Sequence, residues 1–191
     1  SSPSAQPSAT GTNAIAIGNL AVATGADSVA LAASRATGQN SFAAAQSRTS
    51  GTSTVYAASG FKSFAMGPST RADSYESSAL GNSAQALASQ GMCYGRSGQI
   101  NSNGTNSAVL GGYLCQTNGM YSATVGGQSS RANGDYSIAV GGYYAFATGD
   151  YSVATGKQSE ARIYGQIAHA SGNFGSTQGD AQGGQYILRA D

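Results

Sequence analysis

The sequence predicts an all-β solenoid, a chain wound into short parallel coils stacked one on the next. Three observations predict it. The first is a fixed step: Ser107-Ala108-Val109-Leu110-Gly111, Ser122-Ala123-Thr124-Val125-Gly126, Ser137-Ile138-Ala139-Val140-Gly141 and Ser152-Val153-Ala154-Thr155-Gly156 recur every 15 residues. A fixed period marks one small unit stacked on copies of itself. The second is alternation with period two inside each copy, which belongs to strands and not to helices. The third is glycine, 28 of 191 residues, placed where each strand ends.

The elements follow in chain order. Residues 1–12 are rich in Ser, Pro and Ala and read as a flexible lead-in. Repeats are expected over residues 13–156. Ala14-Ile15-Ala16-Ile17-Gly18 opens them, with Ala21-Val22-Ala23-Thr24-Gly25 behind it. Ser28-Val29-Ala30-Leu31-Ala32 and Ser41-Phe42-Ala43-Ala44-Ala45 follow at steps of 13 or 14. Thr54-Val55-Tyr56-Ala57-Ala58 reads as a weaker copy, so that Ser63-Phe64-Ala65-Met66-Gly67 arrives after only 9 residues and the frame slips near Gly60. Ser77-Ser78-Ala79-Leu80-Gly81 and Gly91-Met92-Cys93-Tyr94-Gly95 restore it.

The fullest copy runs from Ser137 to Tyr151 and holds two short strands. Gly141-Gly142 is expected to give left-handed backbone angles at the first corner, and Gly149 at the second. Ala139, Ala145 and Ala147 point into a very narrow interior, so Ile138 and Val140 must point out. The outward pair is nonetheless the most apolar in each repeat: Ile15/Ile17, Val29/Leu31, Phe64/Met66 and Ile138/Val140. A strand apolar on both faces is buried on both, and a thin coil has nothing of its own to cover the outer one. Such a column exceeds the few hundred square ångström that a lone chain tolerates. The expected cover is the same column on other copies, closed as a ring about the long axis.

Net charge is +1 and charged residues are only 9%. This gives no electrostatic reason to expect nucleic acid or an acidic membrane as partner. No apolar run reaches bilayer length, so no membrane insertion by this segment is expected. Cys93 takes the position of a central alanine and Cys115 aligns with Ala145, so both read as buried free thiols. Two cysteines without histidine do not fill a metal site, and no cofactor is expected.

Ser-h-Ala-h-Gly followed by Ala-x-Ala-x-Gly, at 14 to 15 residues per turn, resembles the head repeat of trimeric autotransporter adhesins of the YadA type. That resemblance implies a left-handed parallel β-roll, three rolls side by side as a homotrimer, and attachment to host or neighbour surfaces. Its localisation is extracellular, at the bacterial cell surface. Similar repeats occur in phage tail fibres, which gives the alternative of a tail-fibre shaft presenting a receptor-binding tip. Residues 157–191 differ: Glu160-Ala161-Arg162-Ile163-Tyr164-Gly165-Gln166-Ile167-Ala168-His169-Ala170-Ser171-Gly172 and Tyr186-Ile187-Leu188-Arg189 are similar to a segment that closes such shafts before a distal tip. They are expected to form a shaft-closing connector, with a tip beyond.

Chemistry-bearing residues are few. His169, the one histidine, has Ser171 and Asp180 nearby, but their spacing is no nucleophile motif, and a packed or capping histidine is expected. Asp135 and Asp150 recur after Gly134 and Gly149 and are expected to accept main-chain hydrogen bonds at a corner. Tyr121, Tyr136 and Tyr151 share one corner of successive coils and should form a ladder about 4.8 Å apart. Tyr113 and Tyr143 form a second column interrupted by Gln128 and followed by Gln158. Both columns stabilise stacked sheets, and both are candidates for binding an unknown cell-surface glycan or protein receptor. Arg35 and Arg48 hold one place in their repeats, with Arg71 and Arg131 close to it, for solubility or contacts between subunits.

Two other classes fit less well. An ice-binding solenoid needs a continuous threonine column, which Thr24, Thr37 and Thr148 do not make. A spike glycosidase needs two convergent carboxylates. The reading is a non-enzymatic trimeric fibre or adhesin module, with Ile15, Ile17, Val29, Leu31, Phe64, Met66, Ile138 and Val140 as the trimer core.

Overall fold

The computed structural model describes residues 6–45 and 57–186, and all regular structure among them is β. The chain is a β-solenoid. Each coil contributes one strand to each of two sheets, and strands follow chain order in both. The first sheet opens with Ile15–Ile17 and the second with Ser8–Ala9. Pairing is parallel and in register: Ile138, Ala139 and Val140 lie between Ala123, Thr124 and Val125 on one side and Val153, Ala154 and Thr155 on the other. Equivalent positions of successive repeats therefore form columns along the axis.

The core lies between the two sheets and is built of alanine. Ala139, Ala145, Ala147, Ala154 and Ala161 are fully buried. Side chains this small let the two sheets approach closely. The serine that heads each repeat has a role that composition did not reveal. It is buried, and in most copies its hydroxyl donates to the carbonyl three residues back, as Ser137 to Gly134 at 2.6 Å and Ser28 to Gly25 at 2.7 Å, whereas Ser107 donates to the Gly119 carbonyl of the next coil at 2.7 Å. The corner is thus closed by a local side-chain bond.

Near the middle the interior fills differently. Ile100, Val109, Thr117 and Thr124 are fully buried there, and Gln99 pairs with Gln116, a longer step than elsewhere in that sheet except across residues 46–56. Thr117 donates to the Thr124 hydroxyl at 3.0 Å, and Thr124 donates to the Gln116 carbonyl at 2.8 Å. Neither buried hydroxyl is left unpaired.

Glycine records coil length at the first corner. Coils of 14 residues carry one left-handed glycine there, such as Gly81 with φ 129°. Coils of 15 carry two, Gly126-Gly127 and Gly141-Gly142, with φ between 62° and 84°. The change from one to the other shows as a register shift between Tyr94 and Arg96, opposite Gly111-Gly112. The expectation for Gly141-Gly142 holds.

Gly149 does not behave as expected. It takes no positive φ; the left-handed residue of that corner is Tyr151, with φ 56°. Glycine is needed there for space. A Cβ on Gly149 would stand 2.5 Å from the Ile163 carbonyl oxygen, and one on Gly134 2.2 Å from that of Gly149. At this left-handed residue the Tyr151 N–H donates to the Asp135 carbonyl of the preceding coil, 2.8 Å away.

Three boundaries also differ from the sequence reading. Ser8–Ala9 pairs with Val22–Ala23, so the solenoid begins inside the expected lead-in. Ala57–Ala58 pairs with Arg35–Ala36 and Arg71–Ala72 in the second sheet, while Phe42 pairs directly with Phe64 in the first. Ala57–Ala58 is therefore a second-sheet strand and not the end of a first-sheet copy. Stacking also runs beyond Gly156: Glu160–Ala161 and Ile167–Ser171 continue both sheets, and only Gln182–Gln185 reverses, antiparallel to Ile167–Ala170. Residues 1–5, Arg48, residues 54–56 and residues 187–189 lie outside the described residues.

Candidate functional site

The apolar columns come together on one surface. Ile15, Val29, Phe64 and Ile138 fall in one column of the first sheet, and Ile17, Leu31, Met66 and Val140 in the column beside it. Met92, Leu110 and Val125 extend the same stripe. Among the described residues nothing closes over it: Ile17 is 60% exposed and Ile138 and Val140 each 40%, while Val29, Leu31 and Phe64 are half-buried. The outer face of the second sheet is different. Arg35, Arg71 and Arg131 share one column there with Gln85, Gln99, Gln116 and Glu160, and Arg131 lies over Phe146, 5.4 Å from the ring centroid. One sheet is greasy outside and the other polar, so the stripe is a feature of one face.

Tyr121, Tyr136 and Tyr151 form the ladder expected of them. Ring centroids are 5.1 and 4.8 Å apart, with planes within 9°. Tyr164 ends the ladder at 5.1 Å, tilted by 49°. Partial burial in the stack, with the neighbouring Tyr136, pushes the Tyr151 phenol above its ordinary pKa. Ring faces are used up by neighbouring rings, so the ladder offers the outside edges and hydroxyls. The second column is also present: Tyr113 bridges to Gln128 and Gln128 to Tyr143. Arg96 stands 5.0 Å from the Tyr113 ring centroid.

Beside the ladder runs a shallow cleft of about 550 Å³, lined by Asn103, Thr105, Asn118, Met120, Asn133 and Asp135. Asn118 donates to Asn133 at 2.6 Å. Asp135 accepts from the Met120 N–H at 2.8 Å, and Asp150 from the Asp135 N–H at 2.9 Å, as expected of corner carboxylates. The asparagines were missed in the sequence, although Asn118 and Asn133 each precede a corner glycine, one period apart. A cleft walled by amides and a carboxylate suits a ligand rich in hydroxyl or peptide groups.

The YadA head domain repeat matches residues 9–31, 58–84, 121–143 and 142–159. The solenoid contains YadA head repeats. No curated protein matches the chain. The interval between the first two matched segments holds the long Phe42-to-Phe64 coil, and that between the second and third holds the wide coil from Gln99 to Gln116. Both coils of unusual length thus lie largely outside the matched segments, together with coils of ordinary length such as that from Gln85 to Gln99. YadA heads are extracellular parts of trimeric autotransporter adhesins, which makes the coarse function adhesin-like.

The remaining candidates of this YadA head are occupied structurally. Cys93 and Cys115 are buried and free. Burial pushes the Cys93 thiol up to about 11 and raises that of Cys115. His169 is exposed and its Nδ1 lies 2.9 Å from the Thr155 hydroxyl. Asp180 accepts instead from the N–H groups of Phe174 and Gly175, at 2.9 and 3.0 Å. Thr10, Thr24 and Thr37 do stack, but Ser59 and Asp73 follow in that column.

Proposed function

We propose that this chain is a non-enzymatic head module of a trimeric surface adhesin, with three solenoids joined along their apolar stripes. The observation that carries the reading is the uncovered stripe, which needs a partner of the same length and periodicity. A second and third copy supply that in register. Covering the exposed remainder of Ile138 or Val140 would add about 1 kcal/mol per side chain, repeated at coil after coil. The polar second sheet and the tyrosine columns would then face outward. Tyr121, Tyr136 and Tyr151, with Tyr113 and Tyr143, form the face that meets a cell-surface glycan or protein receptor, at the bacterial cell surface.

The test has two arms. Ile138→Asp with Val140→Asp should convert a trimer to smaller species in sedimentation; a wild-type monomer that is indifferent to dilution refutes the assembly. Tyr136→Ser with Tyr151→Ser should abolish attachment of coated beads to cells while the trimer persists. Lost stability with unchanged attachment would assign the ladder to folding alone.

A further inference from the structure

The two ends of the solenoid are finished differently. At the opening end, among the described residues, Ser8–Ala9 pairs only with Val22–Ala23, and Ile15–Ile17 only with Val29, Ala30 and Leu31. The N–H groups of Ser8 and Thr10 go to Ala21 and Ala23, at 2.8 and 2.9 Å. Strand alternation turns the Ala9 N–H the other way, toward the free edge.

At the closing end both edges are covered. Gln182–Gln185 lies antiparallel on Ile167–Ala170 and covers the first sheet. The second sheet is covered by side chains. Gln182 Oε1 accepts from the Glu160 N–H at 2.7 Å, and Gln182 Nε2 donates to the Glu160 carbonyl at 2.8 Å. A primary amide used on both sides reproduces the donor and acceptor of a peptide unit in the strand that would come next. Gln178 Nε2 donates to the carbonyls of Ser159 and Tyr144, at 3.0 and 2.6 Å. The Gly179 N–H donates to the Gln158 carbonyl at 3.0 Å. Of these, the Glu160 N–H and carbonyl are the groups a further coil would engage; the Ser159 carbonyl already accepts from the Phe146 N–H of the coil before, so Gln178 fastens the cap to the side of the stack.

We infer that residues 172–186 are a strand-mimicking cap, and that the partner it excludes is the opening coil of a second copy of this chain. Apart from the cap strand, strands run in one direction through the stack, so the opening edge of one copy matches the uncapped closing edge of another in spacing and polarity. Such a head-to-tail contact is heterologous and does not close, which makes filaments. Glutamine suits the task because its amide satisfies main-chain groups without placing a charge on the edge. The inference holds for a monomer or a trimer alike, since either would end in the same edges.

The experiment uses the full chain. Gln182→Ala uncovers the second-sheet edge, Gln178→Ala loosens the cap from the side of the stack, and Gly183→Pro added to them disrupts the strand over the first sheet. Folding is checked by circular dichroism. The expected result is filaments in electron micrographs, and at least a tenfold rise in average mass at a concentration where the parent stays discrete. Ala9→Pro in the same background removes the outward N–H at the opening edge without costing an existing hydrogen bond, and should restore discrete particles. Particles of unchanged size overturn the inference. Filaments or precipitate that Ala9→Pro does not relieve overturn it too, because the opening edge would then play no part.

Discussion

Gly134 and Gly141 stand in adjacent repeats, and a side chain at each meets a different obstacle. At Gly134 the backbone is unexceptional, but a Cβ would lie 2.2 Å from the Gly149 carbonyl oxygen and 2.4 Å from its carbon. That neighbour is main chain and cannot swing away. Alanine there must push two coils apart by about an ångström, at the point where the Asn133 and Gly134 N–H groups reach the Ala147 carbonyl at 2.8 and 3.3 Å. Overpacking of this kind costs about 1–3 kcal/mol, and weakening of those two bonds about 1 kcal/mol more. We expect Gly134→Ala to lose about 2–4 kcal/mol. At Gly141 a Cβ would meet nothing within 4 Å, but φ is 62°. The cost is that of an L-residue in the left-handed region, about 1–2 kcal/mol. Asparagine tolerates that region, so Gly141→Asn should recover most of the loss, whereas Gly134→Asn should be no better than Gly134→Ala. Urea denaturation followed by circular dichroism, at one protein concentration, gives all four values. Equal losses for the two alanine variants, or rescue by asparagine at both sites, would refute the assignment of one glycine to space and the other to conformation.

Two further outcomes are expected. The Cys93 thiol is held neutral by burial, with its pKa raised from 9.0 to about 11. Below pH 9 folded and unfolded chains both keep the proton. Above it only the unfolded chain ionises, so stability should fall by about 2–3 kcal/mol as pH rises from about 9 to 11. Cys93→Ala should flatten that part of the curve against a tyrosine background common to both proteins, and an unchanged slope would contradict the burial argument. Asp135→Ala removes the acceptor of the Met120 N–H and should cost about 1 kcal/mol in urea denaturation; Asp135→Asn keeps the oxygen and should cost less than half of that.

Much of the molecule was legible because one physical constraint repeats. Alternation fixed which of Ile138, Ala139 and Val140 points inward, and the period placed Tyr121, Tyr136 and Tyr151 in one ladder. What escaped were effects of one coil upon the next. Gly149 reads in isolation as a turn residue, since the carbonyl of Ile163 that forbids its side chain comes from the following coil. Ala57–Ala58 looks like the tail of a first-sheet strand because both sheets bury alanine, and only register distinguishes them. The cap was illegible for a related reason: Gln182 imitates a backbone, and a glutamine in sequence does not announce that its amide will stand in for a strand. Of the candidate surface, the greasy stripe and the tyrosines were readable, whereas the Asn118 and Asn133 wall lay hidden among many polar residues.

Within the two sheets, each described strand of the stack pairs with the one before and the one after. A molecule so constructed responds to tension as a row of links in series. Pulled from its two ends, a single strand of the assembly would peel from an extremity, and each link released would pay out roughly 50 Å of tether at about 3.4 Å per residue. An anchorage in flowing liquid would then yield by steps under a sudden load, lengthening before it let go.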